Sequence, residues 1–273
     1  MVTFSSPEGD QRVGELRGGG GVVELEAASM LEWLTGRGRA PAGREHPIEA
    51  VHLHAPVPDP PSVRDFYAYE GHVRVGANLR GQEIAEAWYE APVFYFSNPA
   101  AVFGPDEPVR RPPGSEMLDF ELEIAAVIGS GDQIAGFTLM NDWSARDIQR
   151  REMTVGLGPA KGKDFATSLG PWLVTPDELS FDGKRLDLEA TVSVNGRTVS
   201  RAQAKPIHFP WPELVAQAAR NTRLRPGDIL GSGTLTGGCL LELGPLDGHW
   251  IEPGDEVTLA ATGLGELRTP VVS

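Results

Sequence analysis

Residues Leu118-Asp119-Phe120-Glu121-Leu122-Glu123-Ile124 alternate strictly between apolar and acidic side chains. A period of two is that of a β-strand with one buried face. Leu118, Phe120, Leu122 and Ile124 then point one way, and Asp119, Glu121 and Glu123 the other. Carboxylates on such a face have backbones about 6.6–7 Å apart, and their repulsion grows if the face is covered. A hard divalent cation bound through oxygen would offset that repulsion. A solvated acidic face is the other reading that the segment allows.

The 273 residues suffice for one large domain with a small appendage, and 40% hydrophobic residues with 6 Trp fit a packed globular enzyme. A net charge of −14, from 38 acidic against 24 basic residues, argues against a nucleic-acid partner. An anionic small substrate remains compatible, because a few bases and a metal can dominate a local site. The single cysteine, Cys239, excludes an intramolecular disulfide framework and fits a reducing cytoplasm. The segment Met1 to Ser6 lacks the basic and apolar regions of a signal peptide. No apolar run approaches the roughly 18 residues of a spanning helix. The expectation is a cytoplasmic protein with no membrane partner.

Residues 1–61 read as a small N-terminal module and linker. Val22 to Leu25 is a short strand candidate, Met30 to Leu34 a short helix, and Ala55-Pro56-Val57-Pro58-Asp59-Pro60-Pro61 a stiff link. Residues 62–273 form the main domain, mainly β with few helices. Its strand candidates are Val93 to Phe96, Leu118 to Ile128, Phe137 to Met140, Trp172 to Val174, Leu186 to Val194, Ile229 to Leu230, Leu240 to Leu243 and Glu256 to Ala260. Asn195-Gly196 is a two-residue hairpin turn. Pro-Gly-Asp turns at Pro226 and Pro253 each precede a strand. Ser144-Ala145-Arg146-Asp147 has the form of a capping box that opens a helix through Ile148, Arg151 and Met153. Trp211 to Arg220 is a second helix, with Pro212 in its first turn.

Several further segments carry chemistry. Asp142, in Asn141-Asp142-Trp143-Ser144, falls between a strand and a helix, where capping and metal ligation are both open to it. Lys163 lies in Gly162-Lys163-Asp164-Phe165, and the order of a phosphate-binding loop is absent there. Asp65-Phe66-Tyr67 and His72 follow the proline-rich link. With Gly231-Ser232-Gly233-Thr234 and Leu241-Glu242-Leu243, these blocks occur in an order that closely resembles the fumarylacetoacetate hydrolase (fumarylacetoacetase) superfamily, over roughly Ser62 to the C-terminus.

The resemblance implies a mixed β-sandwich roll of the fumarylacetoacetase C-terminal-domain type, an α+β fold dominated by strands, usually in a homodimer. It implies Glu121, Glu123 and Asp142 as core metal ligands and Asp65 as a further one. The cofactor it implies is Mg²⁺, with Ca²⁺ or Mn²⁺ as alternatives. His72 corresponds to a general base oriented by Glu242, Lys163 to the catalytic lysine, and Thr167 to a nearby supporting threonine. Tyr67, Arg80, Tyr95, Gln149 and Thr234 match substrate-contacting positions. About sixty residues precede the motif region, so the N-terminal module is expected to be smaller than that of full-length fumarylacetoacetases.

The chemistry of the residues fits these roles. Three or four carboxylates suit a hard ion, which a dicarbonyl acid can chelate. An imidazole held by a carboxylate can activate water, and a lysine can stabilise a developing carbanion. The expected activity is hydrolysis of a carbon–carbon bond in a β-diketone or acylpyruvate-type acid. Decarboxylation, tautomerisation, isomerisation or hydration on the same scaffold is the alternative. A non-catalytic metal-dependent binding protein is a more remote one, since binding needs neither Lys163 nor a His72/Glu242 pair.

Overall fold

The computed structural model describes residues 1–273 and centres on the strand Leu122–Ile128, fourth of seven in a mixed sheet. Leu122–Ile128 pairs antiparallel with Ile134–Asp142 on one side and Ile229–Gly231 on the other. Beyond the first lie Thr167–Val174 and Val102–Phe103, and beyond the second Val63–Phe66 and Phe94–Ser97. The pairs Ile229–Gly231 with Val63–Phe66 and Thr167–Val174 with Val102–Phe103 run parallel. This is the mainly β, mixed-sheet architecture expected, with six short helices around it.

A continuous strand over Leu118–Ile128 does not form. Leu118–Asp119 pairs instead with Ser144–Ala145, and Glu121 makes an isolated bridge to Cys239 before the chain enters the central sheet. The alternation nevertheless persists across the break. Leu118, Phe120, Leu122 and Ile124 all enter one hydrophobic core. The opposite face is not solvated, because Asp119, Glu121 and Glu123 are buried as well. Ala125 and Val127 continue that second face as an apolar surface.

Each face of the central sheet therefore has its own cover. A second sheet, ordered Arg197–Gln203, Glu189–Val194, Glu256–Ala261, Gly265–Val272 and Val109–Arg110, packs over Ile124, Ala126, Phe137 and Leu139 through Val192, Val257, Leu259 and Leu267. Against Ala125, Val127, Met140 and Leu173 lie Val13, Leu25, Met30, Trp33 and Leu34 from the N-terminal residues. These belong to a five-stranded sheet, Pro41–Pro47, Gly21–Leu25, Gln11–Arg17, Val2–Ser5 and His52–Leu53, and to the helix Met30–Leu34, capped by the Ser29 side chain.

Local signals account for most of the turns. Val194 pairs with Arg197 across Asn195-Gly196, both at positive φ (51° and 76°), as a hairpin turn of this length requires. Gly227 and Gly254 have φ of 92° and 103° in the turns before Ile229–Gly231 and Glu256–Ala261. Some boundaries shift. Phe94–Ser97 replaces Val93 to Phe96, the strand expected from Leu186 begins at Glu189, and the helix from Trp211 ends at Ala219.

Two local assignments are corrected by long-range contacts. Leu240–Leu243 is a short helix, because the Asp119 carboxylate accepts the Leu240 and Leu241 amides at 2.7 and 3.0 Å. The capping box does not form. Ser144 is held extended by its pairing with Asp119, its hydroxyl donates to the Asp142 carbonyl, and the helix starts at Arg146. Asp147 instead accepts from the Ser115 hydroxyl and the Glu116 amide at 2.7 and 2.8 Å.

The shared core gives a stability prediction. Met30 is almost fully enclosed between the N-terminal residues and the central sheet. Met30→Ala should cost about 2–5 kcal/mol. Urea denaturation followed by tryptophan fluorescence should show one lowered midpoint for the whole chain. An unchanged midpoint would show that the two parts do not share their stability.

Candidate active site

Four strands or strand ends bring carboxylates to one point. Asp65 comes from Val63–Phe66, Glu121 from the break before Leu122–Ile128, Glu123 from that strand, and Asp142 from the last residue of Ile134–Asp142. All four are buried, and one carboxylate oxygen of each lies within 4.8 Å of one from each of the others. Gly231 sits opposite both Asp65 and Ala125 in the sheet register. A Cβ there would stand 2.5 Å from Asp65 Oδ1 and 2.9 Å from Glu123 Oε2. Absence of a side chain at Gly231 is what lets the two carboxylates approach.

The electrostatics of this quartet are incomplete within the chain. Burial, then the neighbouring Asp142 charge, raises Asp65 well above the usual carboxylate range. Glu123 is raised well above its range by burial and by Asp65. Asp142 is raised by burial, partly offset by Lys163. Burial pushes Glu121 the same way, but Arg146, Lys163 and His72 outweigh it and hold the carboxylate low. One oxygen each of Asp65, Glu123 and Asp142 has no hydrogen-bond partner. Buried carboxylate oxygens without partners are costly, and four oxygen donors in one place are the set a hard divalent cation takes. The donor set therefore fits such an ion.

Lysine and arginine supply the positive charge present. Lys163 Nζ donates to Asp142 Oδ2 at 2.5 Å and also to Glu121. Burial alone would lower this ammonium, and the two carboxylates outweigh it and keep it charged. Its loop rests on the helix Arg146–Met153, where a Cβ at Gly162 would meet the Gln149 amide at 2.7 Å. Arg146 lies beside Glu121 (2.6 Å) and donates from Nε to Asp119 at 2.8 Å.

Beside the quartet stands an imidazole–carboxylate pair. His72 Nδ1 lies 2.8 Å from Glu242 Oε1, and His72 Nε2 faces Glu121 Oε1 at 3.9 Å. Glu242 is positioned by the Leu240–Leu243 helix and accepts the Gly237 amide at 2.9 Å. Cys239 Sγ packs 3.8 Å from His72 Nδ1, and burial raises its thiol well above the ordinary range. His72 itself lies on the helix Glu70–Leu79, an element that the strand-centred sequence reading missed. Val73, Gly76 and Ala77, buried at helical spacing, were the signal for it.

The remaining positions are distributed around this centre. Tyr95 donates its hydroxyl to Asp142 Oδ2 at 2.6 Å. Tyr67 meets the His72 ring edge to face, with centroids 5.3 Å apart, and burial pushes its hydroxyl up to about 12. Arg80 is exposed at the end of the His72 helix. Its Nη1 and the Tyr67 hydroxyl both overlie Gly76, 3.5 and 2.6 Å from where a Cβ would be. Gln149 Oε1 accepts from Arg146 Nη1 at 3.1 Å, and Thr167 pairs with Asp142 in the sheet while its hydroxyl lies 3.4 Å from that of Ser97. Thr234 is buried just after Gly233, whose amide donates to Glu123 at 3.0 Å, but its side chain makes no hydrogen bond to the quartet. Sequence reasoning gave no role to Asp119 or Arg146. Their inclusion in the acidic alternation and the Ser-Ala-Arg-Asp block was the available signal.

Comparison with known proteins is consistent across sequence and structure. The family described as fumarylacetoacetate (FAA) hydrolase C-terminal matches residues 62–272. The fumarylacetoacetase of Arabidopsis thaliana is 32% identical over 274 residues, covering 74% of this chain and 65% of that protein. That of Homo sapiens is 30% identical over 289 residues, covering 79% and 68%. The chain thus spans about two thirds or less of the length of these relatives, down to 57% for the Bos taurus fumarylacetoacetase. Among solved structures, a 5-carboxymethyl-2-hydroxymuconate delta-isomerase from Mycobacterium smegmatis superposes with a TM-score of 0.76 at 28% identity, covering 99% of this chain and 98% of that one. A 2-hydroxyhepta-2,4-diene-1,7-dioate isomerase from Mycobacterium marinum gives 0.71 at 27% identity, covering 99% and 97%. With the family match extending over most of its length, the chain belongs to the fumarylacetoacetate hydrolase family.

Proposed function

We propose that this chain is a divalent-metal-dependent hydrolase that cleaves a carbon–carbon bond in a β-diketone or acylpyruvate-type acid. The observation that carries the proposal is the His72–Glu242 pair directed at the carboxylate quartet, with Nε2 3.9 Å from Glu121. Asp65, Glu121, Glu123 and Asp142 would hold the ion, Mg²⁺ by its preference for oxygen, with Mn²⁺ or Ca²⁺ as substitutes. The chemistry such an ion supplies is polarisation of a substrate carbonyl.

The chain's own groups account for the proton and electron movements. Glu242 holds Nδ1–H of His72, which leaves Nε2 free to take a proton from water as its oxygen attacks the carbonyl carbon. The bond to the neighbouring α-carbon then breaks, and its electron pair leaves as an enolate. Lys163, kept charged by its neighbours, stabilises that negative charge, and the imidazolium proton can return to the carbon. Tyr67, Arg80, Tyr95, Gln149 and Thr234 are proposed to bind the acid, with Thr167 supporting Asp142 from the adjacent strand. We propose residues 1–61 as a module buttressing this domain.

Isomerisation is the second reading, favoured by the two isomerase structures that match this chain over nearly its whole length. The same imidazole could move a proton between oxygen and carbon with no water attack. Product analysis separates the two. Release of an acid pair from a diketone or acylpyruvate supports hydrolysis, whereas enol–keto or double-bond exchange with no acid release overturns it.

Chelation should abolish turnover, and Mg²⁺ or Mn²⁺ should restore it. Mg²⁺ should also raise the Tm of the wild type while leaving that of Glu123→Ala unmoved. Full activity after exhaustive chelation would refute a metal role for the quartet.

His72→Ala should lower carbon–carbon cleavage by about 10²–10⁴-fold. Glu242→Gln should slow the same step, and the double substitution should be scarcely worse than His72→Ala, because the two act as one unit. Additive losses in kcat/KM would separate their roles.

We also propose that the enzyme is a cytoplasmic homodimer. Val155 and Leu157, in the turn after the Arg146–Met153 helix, are 80% and 92% exposed, an apolar surface that a second copy would cover. Sedimentation at low micromolar concentration should report twice 29.3 kDa, and Leu157→Asp should halve the mass. A wild-type monomer would refute it.

A further inference from the structure

His52 and His54 sit at the edge of the N-terminal sheet. His52 pairs with Ser5 and Leu53 with Phe4, and the His54 amide donates to the Thr3 carbonyl at 2.9 Å. The backbone is thus extended through all three residues, and positions two apart project to the same side. Their rings meet edge to face with centroids 4.9 Å apart. Glu107 reaches them from the turn that follows Val102–Phe103. Gly104 makes that approach feasible, since a Cβ there would stand 2.5 Å from the Ala55 nitrogen and 2.8 Å from the His54 carbonyl carbon.

One nitrogen of each histidine and one Glu107 oxygen lie within 4.8 Å of one another. Glu107 Oε1 is 3.6 Å from His54 Nδ1, while the Ser5 hydroxyl lies 2.7 Å from His54 Nε2. In the tautomer whose Nε2–H donates to Ser5, the lone pair of His54 lies on Nδ1, the atom nearest Glu107. A hydrogen bond on the far ring nitrogen is how a metal-binding histidine is oriented and its tautomer set. His54 and Glu107 are partly exposed, at 24% and 32% of their side-chain surface, and His52 is exposed, so the three lie where an ion can reach them from solvent.

We propose that His52, His54 and Glu107 form a second metal site, selective for Zn²⁺ or a similar borderline transition-metal ion. Two imidazoles and one carboxylate are a poor match for Mg²⁺ or Ca²⁺, which take oxygen, and a good one for zinc, with water in the fourth position. The site shares no residue with the carboxylate quartet. Its ligands come from the edge of the N-terminal sheet and from the turn leading to Val109–Arg110 of the C-terminal sheet. Bound zinc would therefore tie the edge of the N-terminal sheet to the turn that leads into the C-terminal sheet.

The full chain is dialysed against Zn²⁺ in a large excess of Mg²⁺, which competes for the oxygen quartet, and its metal content is measured beside that of His52→Ala/His54→Ala. The wild type should retain one more Zn²⁺ per chain than the variant, and Zn²⁺ should raise its Tm but not the variant's. Ser5→Ala, which leaves all three ligands in place, should weaken zinc binding by about 10–100-fold. Glu107→Gln provides a further variant should the double histidine substitution fold poorly, and it too should lose the extra ion. Equal zinc content in the wild type and the folded ligand variants would overturn the proposal.

Discussion

Mutual repulsion among four buried carboxylates is the constraint on which the rest of this structure depends. Asp65, Glu121, Glu123 and Asp142 are withdrawn from water within 4.8 Å of one another, an arrangement that opposes folding unless charge is supplied. The chain supplies part of it. Lys163 and Arg146 are both directed at Glu121, and Lys163 also reaches Asp142. Asp65 and Glu123 receive far less, and each has one oxygen without any hydrogen bond. The imbalance marks where positive charge from outside the chain would have most effect.

The surrounding architecture holds that imbalance in place. Four neighbouring strands of the central sheet fix the backbones of Asp65, Gly231, Glu123 and Asp142 relative to one another, and Gly231 leaves the room between two of the carboxylates. Both faces of the central strand are covered: the C-terminal sheet lies over Ile124 and Ala126, and the N-terminal residues over Ala125 and Val127. Asp119, although part of the same acidic alternation, serves a different end. It draws the amides of Leu240 and Leu241 into a short helix, and so places Glu242 against His72. One short stretch of chain, broken between two strands, thus contributes both to the quartet and, through a helix more than a hundred residues away in sequence, to the orientation of the imidazole.

Legibility in the sequence followed the range of the interactions involved. Features set by a few adjacent residues were readable. They include the Asn195-Gly196 hairpin, the Pro-Gly-Asp turns and the helices opening near Met30 and Trp211. Leu240–Leu243 resembled a strand because its apolar composition says nothing of the distant carboxylate that bends it into a helix. Ser144 resembled a helix cap because its pairing with Asp119 is likewise invisible locally. The His72 helix escaped notice because Gly71, Gly76 and its polar residues dilute the apolar stripe of Val73 and Ala77.

By itself the sequence determined that acidic and apolar residues would alternate across opposite sides of an extended segment, that the apolar ones would face a core, and that blocks in a recognisable order placed the chain among fumarylacetoacetate hydrolases; that the segment would break into two strands was not among these. Alternation is a property of the backbone period and needs no partner to be read. Whether the acidic face would be wet or buried depended on what packs against it, and only the tertiary structure decided that. It brought Asp65 and Asp142 from separate strands to Glu121 and Glu123, set His72 against Glu242 across 170 residues, and turned Arg146 inward as a counter-charge. Those contacts join residues far apart in the chain, and no local spacing encodes them.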